Sequence, residues 1–515
     1  MRRLPLAAVL VLAGLAPAQD LRAALDAALE RPEVRNGHWG VLVQDLDAGT
    51  VLYERNADRL FAPASNTKLF SVAAFLVAFG ADHRFVTRVV RRGEVDGAGT
   101  LRGDLILVAG GDPTLGGRTD EGGHVAFTDG DHTYANGNDR ARLTPQDPLA
   151  GLDALARAVA ARGVREVEGD VLVDARLFPP TESTGSGLRQ VSAVMVNDNL
   201  IDFSIHAAEA GTPARVEWRP ACALVRVDAA VQTAAAGTKA AVRVESPAPW
   251  RFVVRGTVPA DRTAPLVRVA EVPDAASFAR SLFRDALVRA GVRVTASPLA
   301  DHPTARLPAS RSESLSLPEV AAFASPPFAE HARLILKVSH NLHASALPLL
   351  LSAREGSTPG LAGGLKAMGA ALQELGLDPQ HVCFGGGAGG SRADFATPRA
   401  TVALLAAMAR RADADAFRAA LPILGVDGTL ARAVAATSPA RGKAQAKTGT
   451  YFVDNALTGG ALLTSKALSG YLEGKSGRRL AFALYVNVLQ LKSSDDADRI
   501  GALLGQLCEL VHAHT

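Results

Sequence analysis

Apolar and polar positions give the chain three textures. The first, residues 19–88, opens with a helical pattern over Leu21 to Leu29 and continues with two strand-like stretches, Trp39 to Asp45 and Thr50 to Arg55. Asp47-Ala48-Gly49 between them is turn chemistry, so the two are predicted to pair as a hairpin. Ala62-Pro63-Ala64-Ser65-Asn66-Thr67-Lys68 then runs into an apolar helix ending near Phe79. Pro63 suits a place just ahead of that helix, where its missing N–H has no helical partner to lose.

The second texture, residues 89–314, alternates short β-like segments with Gly, Pro and Asp. The segments are Leu101 to Val108, Val171 to Val173, Val225 to Val227, Ala241 to Val244 and Trp250 to Val258. Leu101-Arg102-Gly103-Asp104-Leu105-Ile106-Leu107-Val108 is echoed by Val167-Glu168-Gly169-Asp170-Val171-Leu172-Val173. Two amphipathic helices also end alike, at Gly163 and Gly291, with glycine as the helix stop. Two echoes do not make a fixed period, so no tandem repeat follows.

From about residue 315 long apolar helices return, over Phe328 to Val338, His343 to Leu351, Gly364 to Gly376 and Pro398 to Arg410. Strands are predicted near Ala444 to Thr450 and Leu480 to Val488, and an amphipathic helix over Asp495 to His512. The pattern predicts an α+β protein. Residues 19–88 and 315–515 form one helix-covered antiparallel sheet, split by an inserted α+β region, 89–314, of one or two small domains.

The length of 515 residues exceeds what one core usually organises. With 48% apolar and 21% charged residues the chain is globular rather than disordered. A formal charge of +3 without a clustered basic run sets nucleic-acid binding aside. Residues 1–18 read as a leader: Arg2 and Arg3, an apolar run from Leu4 to Leu15, then Ala16-Pro17-Ala18 before Gln19. That run is shorter than the ~20 residues a bilayer span needs, and no later stretch qualifies. The expectation is an exported protein of the periplasm or cell-wall space with no transmembrane segment. Cys222, Cys383 and Cys508 lack metal-ligand or disulfide-framework spacing and are expected as three buried thiols, the alternative being one long-range disulfide with one free thiol.

Three short motifs carry chemistry when taken together. In Ser65-Asn66-Thr67-Lys68 the serine and lysine stand one helical turn apart. A serine hydroxyl needs a base, and a lysine of lowered pKa can serve. Ser339-His340-Asn341 lies between two apolar helices, and Lys447-Thr448-Gly449-Thr450 on a strand rich in small residues. In that order they supply a nucleophile (Ser65), its base (Lys68) and a proton relay to the leaving amine (Ser339 with Lys447). Asn341 can hydrogen-bond a substrate amide, and Thr448 and Thr450, flanking Gly449, can hold a substrate carboxylate. The backbone N–H groups of Ser65 and Thr450 would form the oxyanion hole.

These motifs, with Gly110-Gly111-Asp112-Pro113-Thr114-Leu115 and Val196-Asn197-Asp198-Asn199, resemble the D-alanyl-D-alanine carboxypeptidase/endopeptidase family, the class C low-molecular-mass penicillin-binding proteins. The resemblance covers nearly all of the chain after the leader. It implies a β-lactamase/transpeptidase-like domain, no metal or organic cofactor, peptidoglycan stem peptides as partners and covalent inhibition by β-lactams. The function it implies is a serine DD-peptidase acting on D-alanyl-D-alanine ends or cross-links. A serine β-lactamase or esterase on the same fold, and a non-catalytic peptidoglycan-binding protein, are the rival readings.

Some stretches depart from the family's pattern. Gly386-Gly387-Ala388-Gly389-Gly390-Ser391-Arg392 replaces a motif commonly written Asp-Gly-Ser-Gly-Leu-Ser-Arg. Tyr451 to Ser465 looks like an insertion beside the substrate strand, and Ser183 to Val191 lacks the acid that meets a diaminopimelate amine in relatives. Asp129, Asp131, His132, Asn136 and Asp139 fail the EF-hand pattern and are expected to form a solvated loop. His340 is expected to face the cleft and His343 to pack on its helix. Asp198 either lines the substrate groove or caps a turn. Oligomeric state is not legible.

Overall fold

The computed structural model describes residues 15–185, 187–354, 359–493 and 496–515, the side chains of residues 15–19 excepted. Residues 1–14 of the expected leader therefore lie outside the described residues, as does Asp495. The described chain divides into two compact units. One comprises residues up to Ala73, Ala370–Gly385 and Gly389–Thr515; the other comprises Ala74–Gly369 and Gly386–Ala388.

The first unit is built on an antiparallel sheet in the order Ala444–Asn455, Gly460–Glu473, Arg479–Asn487, His38–Asp45, Val51–Arg55. The alternation of side chains along each strand gives the sheet two faces. Val41, Val43, Phe482, Leu484, Leu468 and Leu472 share one core with Leu25 and Leu29 of the helix Leu15–Leu29. Leu503, Leu507 and Val511 of the closing helix Asp496–His514 complete that core. On the opposite parity, Tyr485 hydrogen-bonds Thr401 (2.8 Å) and Tyr471 donates to Leu405 O (2.8 Å), both on the helix Pro398–Met408. The nucleophile segment occupies this second face.

The strand Gly460–Glu473 was not predicted, because its first residues were read as an insertion. The extra residues instead prolong the Lys447 strand to Asn455 and, after a turn, open the next strand. Tyr451, Phe452 and Val453 stand exposed on that extension.

In the second unit a mixed sheet runs Arg293–Val294, Glu166–Val167, Thr100–Val108, Val86–Val95, Glu319–Ala324, with Val171–Asp174 also pairing Thr100–Val108. Here the echoed phrases acquire a meaning. They lie parallel and in matching register, Leu101 beside Val167, Leu105 beside Val171 and Leu107 beside Val173. The Asp104 carboxylate accepts from Asp170 N (2.7 Å), so the shared Gly-Asp marks where the two strands clasp. Helices Ala150–Ala161 and Ala275–Arg289 pack on this sheet and are followed by Gly163 and Gly291, both left-handed, as predicted. The insertion also holds two three-stranded sheets, with Leu200–His206 central in one and Arg251–Pro259 in the other, and the pair Thr181–Glu182 with Gln190–Val191. Residues 315–369 cluster with this unit, since Glu319–Ala324 pairs with Val86–Val95.

No helix among the described residues is long and apolar enough to cross a membrane. The cysteines depart from expectation. All three are free thiols, but only Cys508 is buried; Cys222 is half-buried and Cys383 exposed.

Candidate active site

Ser65 sits in a single 3-10 turn, Ala64–Asn66, that feeds the helix Thr67–Phe79. The apolar run that follows buries the helix, and with it Asn66, Thr67 and Lys68, while Ser65 stays half-exposed. Lys68 Nζ donates to Ser65 Oγ at 2.8 Å. The turn is pegged to the sheet on both sides. Ala62 N donates to Asn487 Oδ1 (2.7 Å), Ser465 Oγ donates to Ala62 O (2.6 Å), and Asn66 Nδ2 donates to Ser469 Oγ (2.8 Å). Ala64 is left-handed (φ 45°), a conformation that costs of order 1–3 kcal/mol outside glycine and persists where the surroundings over-determine it.

Lys447 pairs in register with Ser469, the residue that receives Asn66, so strand alternation puts Lys447 on the nucleophile face. Its Nζ donates to Thr448 O (2.7 Å), and burial lowers its pKa to about 7. Lys68 is held well below the ordinary lysine range, first by burial and then by the Lys447 charge, with Asp394 opposing. A lysine so placed loses its proton more readily than a free one and can serve as a base. Gly449 is required by close approach: a Cβ there would stand 2.6 Å from Pro63 O. Thr448 Oγ1 donates to Thr429 Oγ1 (2.8 Å), and Thr450 is exposed. Among the described residues the outer edge of this strand is paired only near its start, where Leu424 N donates to Ala444 O and Ala446 N to Pro422 O (both 2.9 Å).

Sequence reasoning missed Asp394. It is buried and accepts from Gly385 N (2.8 Å) and Ser391 N (2.9 Å), closing the glycine-rich loop that departs from the family's pattern. Gly389 in that loop is left-handed (φ 89°), and a Cβ would fall 1.9 Å from Ala64 O. The glycine thus answers to the nucleophile turn.

Ser339 and Asn341 belong to the second unit. Ser339 is left-handed (φ 64°), and Tyr134 Oη donates to its carbonyl (2.5 Å). Asn341 opens the helix Asn341–Ser352, capped by His340, whose Nδ1 accepts from His343 N (3.3 Å). Two expectations are corrected here. His340 does not face a cleft: it is fully buried, stacked on His343 with ring centroids 3.7 Å apart. Asp131 and His132 are not in a solvated loop but buried. Asp198 lies on a left-handed turn with Asn197 and Asn199, buried, and accepts from Arg118 Nη2 (2.8 Å) and from the His132 and His343 rings (2.8 and 2.5 Å). Asn and Asp are the side chains that tolerate this conformation, which is what Asn-Asp-Asn encodes. Burial opposes charge on His132. Asp202, 2.6 Å away, and the hydrogen bonds to Asp198 and Asp202 outweigh it and raise the ring's pKa to about 10. His343 is lowered to about 4, by burial and then by His340.

Asp198, His340 and His343 could together offer three ligand atoms to a metal ion. Imidazole lone pairs lie in the ring plane, and Zn–N bonds run about 2.0–2.1 Å. Two rings stacked 3.7 Å apart and tilted by only 22° send their lone pairs side by side, not to one point. The residues do not fit a metal centre in this arrangement.

A family model, the D-Ala-D-Ala carboxypeptidase 3 (S13) family, matches residues 21–507. The chain belongs to that family. As an S13 peptidase it is a serine hydrolase, and the sequence resemblance to the penicillin-binding D-alanyl-D-alanine carboxypeptidases holds. It is 31% identical over 509 residues to a D-alanyl-D-alanine carboxypeptidase of an Actinomadura species, covering 91% of this chain and 81% of the relative. Penicillin binding protein 4 of Haemophilus influenzae shares the fold with TM-score 0.69 and 18% identity, over 95% of this chain and 99% of that one. A second structure of that protein, complexed with a β-lactam, matches with TM-score 0.66 and 18% identity over the same shares. The α+β, transpeptidase-like fold expected from sequence is thereby met.

Proposed function

We propose that the chain is a DD-peptidase that cleaves D-alanyl-D-alanine ends, D-alanyl cross-links, or both, of peptidoglycan stem peptides through a Ser65 acyl-enzyme. The observation that carries this reading is the 2.8 Å contact between Lys68 Nζ and Ser65 Oγ, with Lys68 buried and its pKa lowered.

Neutral Lys68 takes the proton as Ser65 Oγ attacks the penultimate D-alanine carbonyl. The backbone N–H groups of Ser65 and Thr450 receive the developing oxyanion; one such donor is worth about 3 kcal/mol of transition-state stabilisation. Collapse breaks the C–N bond, and Ser339 with Lys447 relays a proton to the departing amine. Asn341 binds the substrate amide. The peptide lies along the strand Ala444–Asn455 from Lys447, with Thr448, Gly449 and Thr450 beside its terminal carboxylate. Water then attacks the ester and releases Ser65. A β-lactam enters the same sequence and stalls as the acyl-enzyme. The chemistry needs no cofactor, and its substrate places the enzyme outside the cytoplasmic membrane.

Digestion of purified sacculi with mass analysis of the muropeptides tests the proposal. Loss of terminal D-alanine reports carboxypeptidase action, and loss of cross-linked dimers reports endopeptidase action. Rapid turnover of penicillin with neither change would instead identify a β-lactamase.

A further inference from the structure

The second unit contains a buried polar cluster that converges on the Ser339-His340-Asn341 turn. At its centre the Asp198 carboxylate is shared. Oδ2 takes Arg118 Nη2 and His132 Nε2, each at 2.8 Å; Oδ1 takes His343 Nε2 at 2.5 Å, with His340 Nε2 3.4 Å away. Arg118 Nη1 reaches back to Asp131 Oδ2 (2.7 Å), and His132 Nδ1 to Asp202 Oδ1 (2.6 Å), which Arg219 Nε also approaches through Oδ2 (3.3 Å). With both nitrogens of His132 facing carboxylates, that ring is an imidazolium. The cations Arg118, His132 and Arg219 then balance Asp131, Asp198 and Asp202. Burial leaves His343 neutral above about pH 4.

The tautomers follow from the same contacts. His340 Nδ1 accepts from His343 N, so its proton sits on Nε2, toward Asp198 and Asp131. His343 donates from Nε2 to Asp198. Asp198 therefore orients the His343 ring directly, while His340 Nε2 stands 3.4 Å from the same carboxylate without hydrogen-bonding it and is held through its stack on His343 and its Nδ1, at the first turn of the helix that Asn341 opens. The left-handed Ser339 directly precedes this pair and is held from its other side by Tyr134.

We infer that Asp198 is a positioning residue for the reaction: through the His343–His340 stack it sets the Ser339-His340-Asn341 turn, without touching substrate. The inference rests on the DD-peptidase reading and adds a device to it. Ser339 serves the departure of an amine, which needs a proton. A thioester substrate with the same acyl part expels a thiolate, which needs little protonation. Misplacing Ser339 should therefore slow amide cleavage far more than thioester cleavage.

The experiment compares wild type, His343→Phe, His343→Gln and Ser65→Ala on an acyl-D-alanyl-D-alanine peptide and its thioester analogue. The phenylalanine keeps the ring stack and loses the donor to Asp198; glutamine restores a donor. His343→Phe is expected to lose at least tenfold in kcat on the amide and less than threefold on the thioester, with His343→Gln recovering most of the amide rate. Equal losses on both substrates, or no loss, would overturn the positioning role and leave the peptidase reading intact. If the wild type cleaved neither substrate, or Ser65→Ala cleaved both at wild-type rate, the peptidase reading would fall and this inference with it.

Discussion

Lys447 and Lys68 are both buried on the nucleophile face of one sheet, and the charge of the first lowers the proton affinity of the second. Two ammonium groups confined this way cannot both stay protonated cheaply. This is how a residue with an ordinary pKa near 10.4 becomes a base.

The pH dependence of acylation follows. Only neutral Lys68 accepts the Ser65 proton, so the rate of labelling by a fluorescent penicillin should rise with pH and level off well below 10.5. Removing the neighbouring charge with Lys447→Met takes away one cause of the lowering. The residual rate, reduced about tenfold or more, should then have its midpoint at higher pH. An unmoved or more acidic midpoint would sink the assignment of Lys68 as base.

Ser65→Ala removes the nucleophile and leaves the pegs through Ala62 and Asn66 in place. Muropeptide hydrolysis should fall at least about 1,000-fold, and the stable mass increase after penicillin treatment should vanish, with the thermal midpoint little changed. Intact-protein mass spectrometry and a melt decide it.

Gly389→Ala tests the link between the glycine-rich loop and the nucleophile turn. A methyl group 1.9 Å from Ala64 O, at a left-handed residue, forces one backbone or the other to move. We expect about 1–3 kcal/mol of destabilisation together with a loss of acylation rate. A variant with wild-type acylation would show that the loop does not govern the turn.

Stability should form a dome in pH. His132, raised to about 10, contributes fully below its unfolded value near 6.5, and that contribution is lost as pH climbs toward 10. His331 and His343, lowered to about 4, contribute above 6.5, and theirs is lost as pH falls toward 4. Thermal midpoints between pH 4 and 10 trace both arms. His132→Gln should flatten the alkaline arm and spare the acidic one.

Much of this was legible in the residues. The hairpin, the Ser65 helix, the Lys447 strand and the closing helix each announced themselves by local pattern and turn chemistry, and the motif order tied them to one family. What escaped was tertiary. The strand Gly460–Glu473 carries Lys466 and Ser469 amid small residues, and its membership of the sheet depends on neighbours on both sides. Asp131 and His132 look like a solvated run because burying them is affordable only with Arg118, Asp198 and Asp202, which arrive from distant segments. Asp394 had no motif to mark it; its role appears only once Gly385 and Ser391 turn their N–H groups toward it.

The strand order of the first unit also dictates when the enzyme can come into being. The strand His38–Asp45 takes its inner neighbour from Arg479–Asn487, and Ala62 is fastened to Asn487 across 425 residues. An emerging chain therefore holds its first hairpin with one bare edge through almost the whole of synthesis, while the inserted unit can already be closing around its own clasped strands. Pairing over such separations is slow, and bare edges recruit the wrong partners. The nucleophile turn takes its pegs from Ser465, Ser469 and Asn487, so a chain cut short of them carries Ser65 without the contacts that hold its turn.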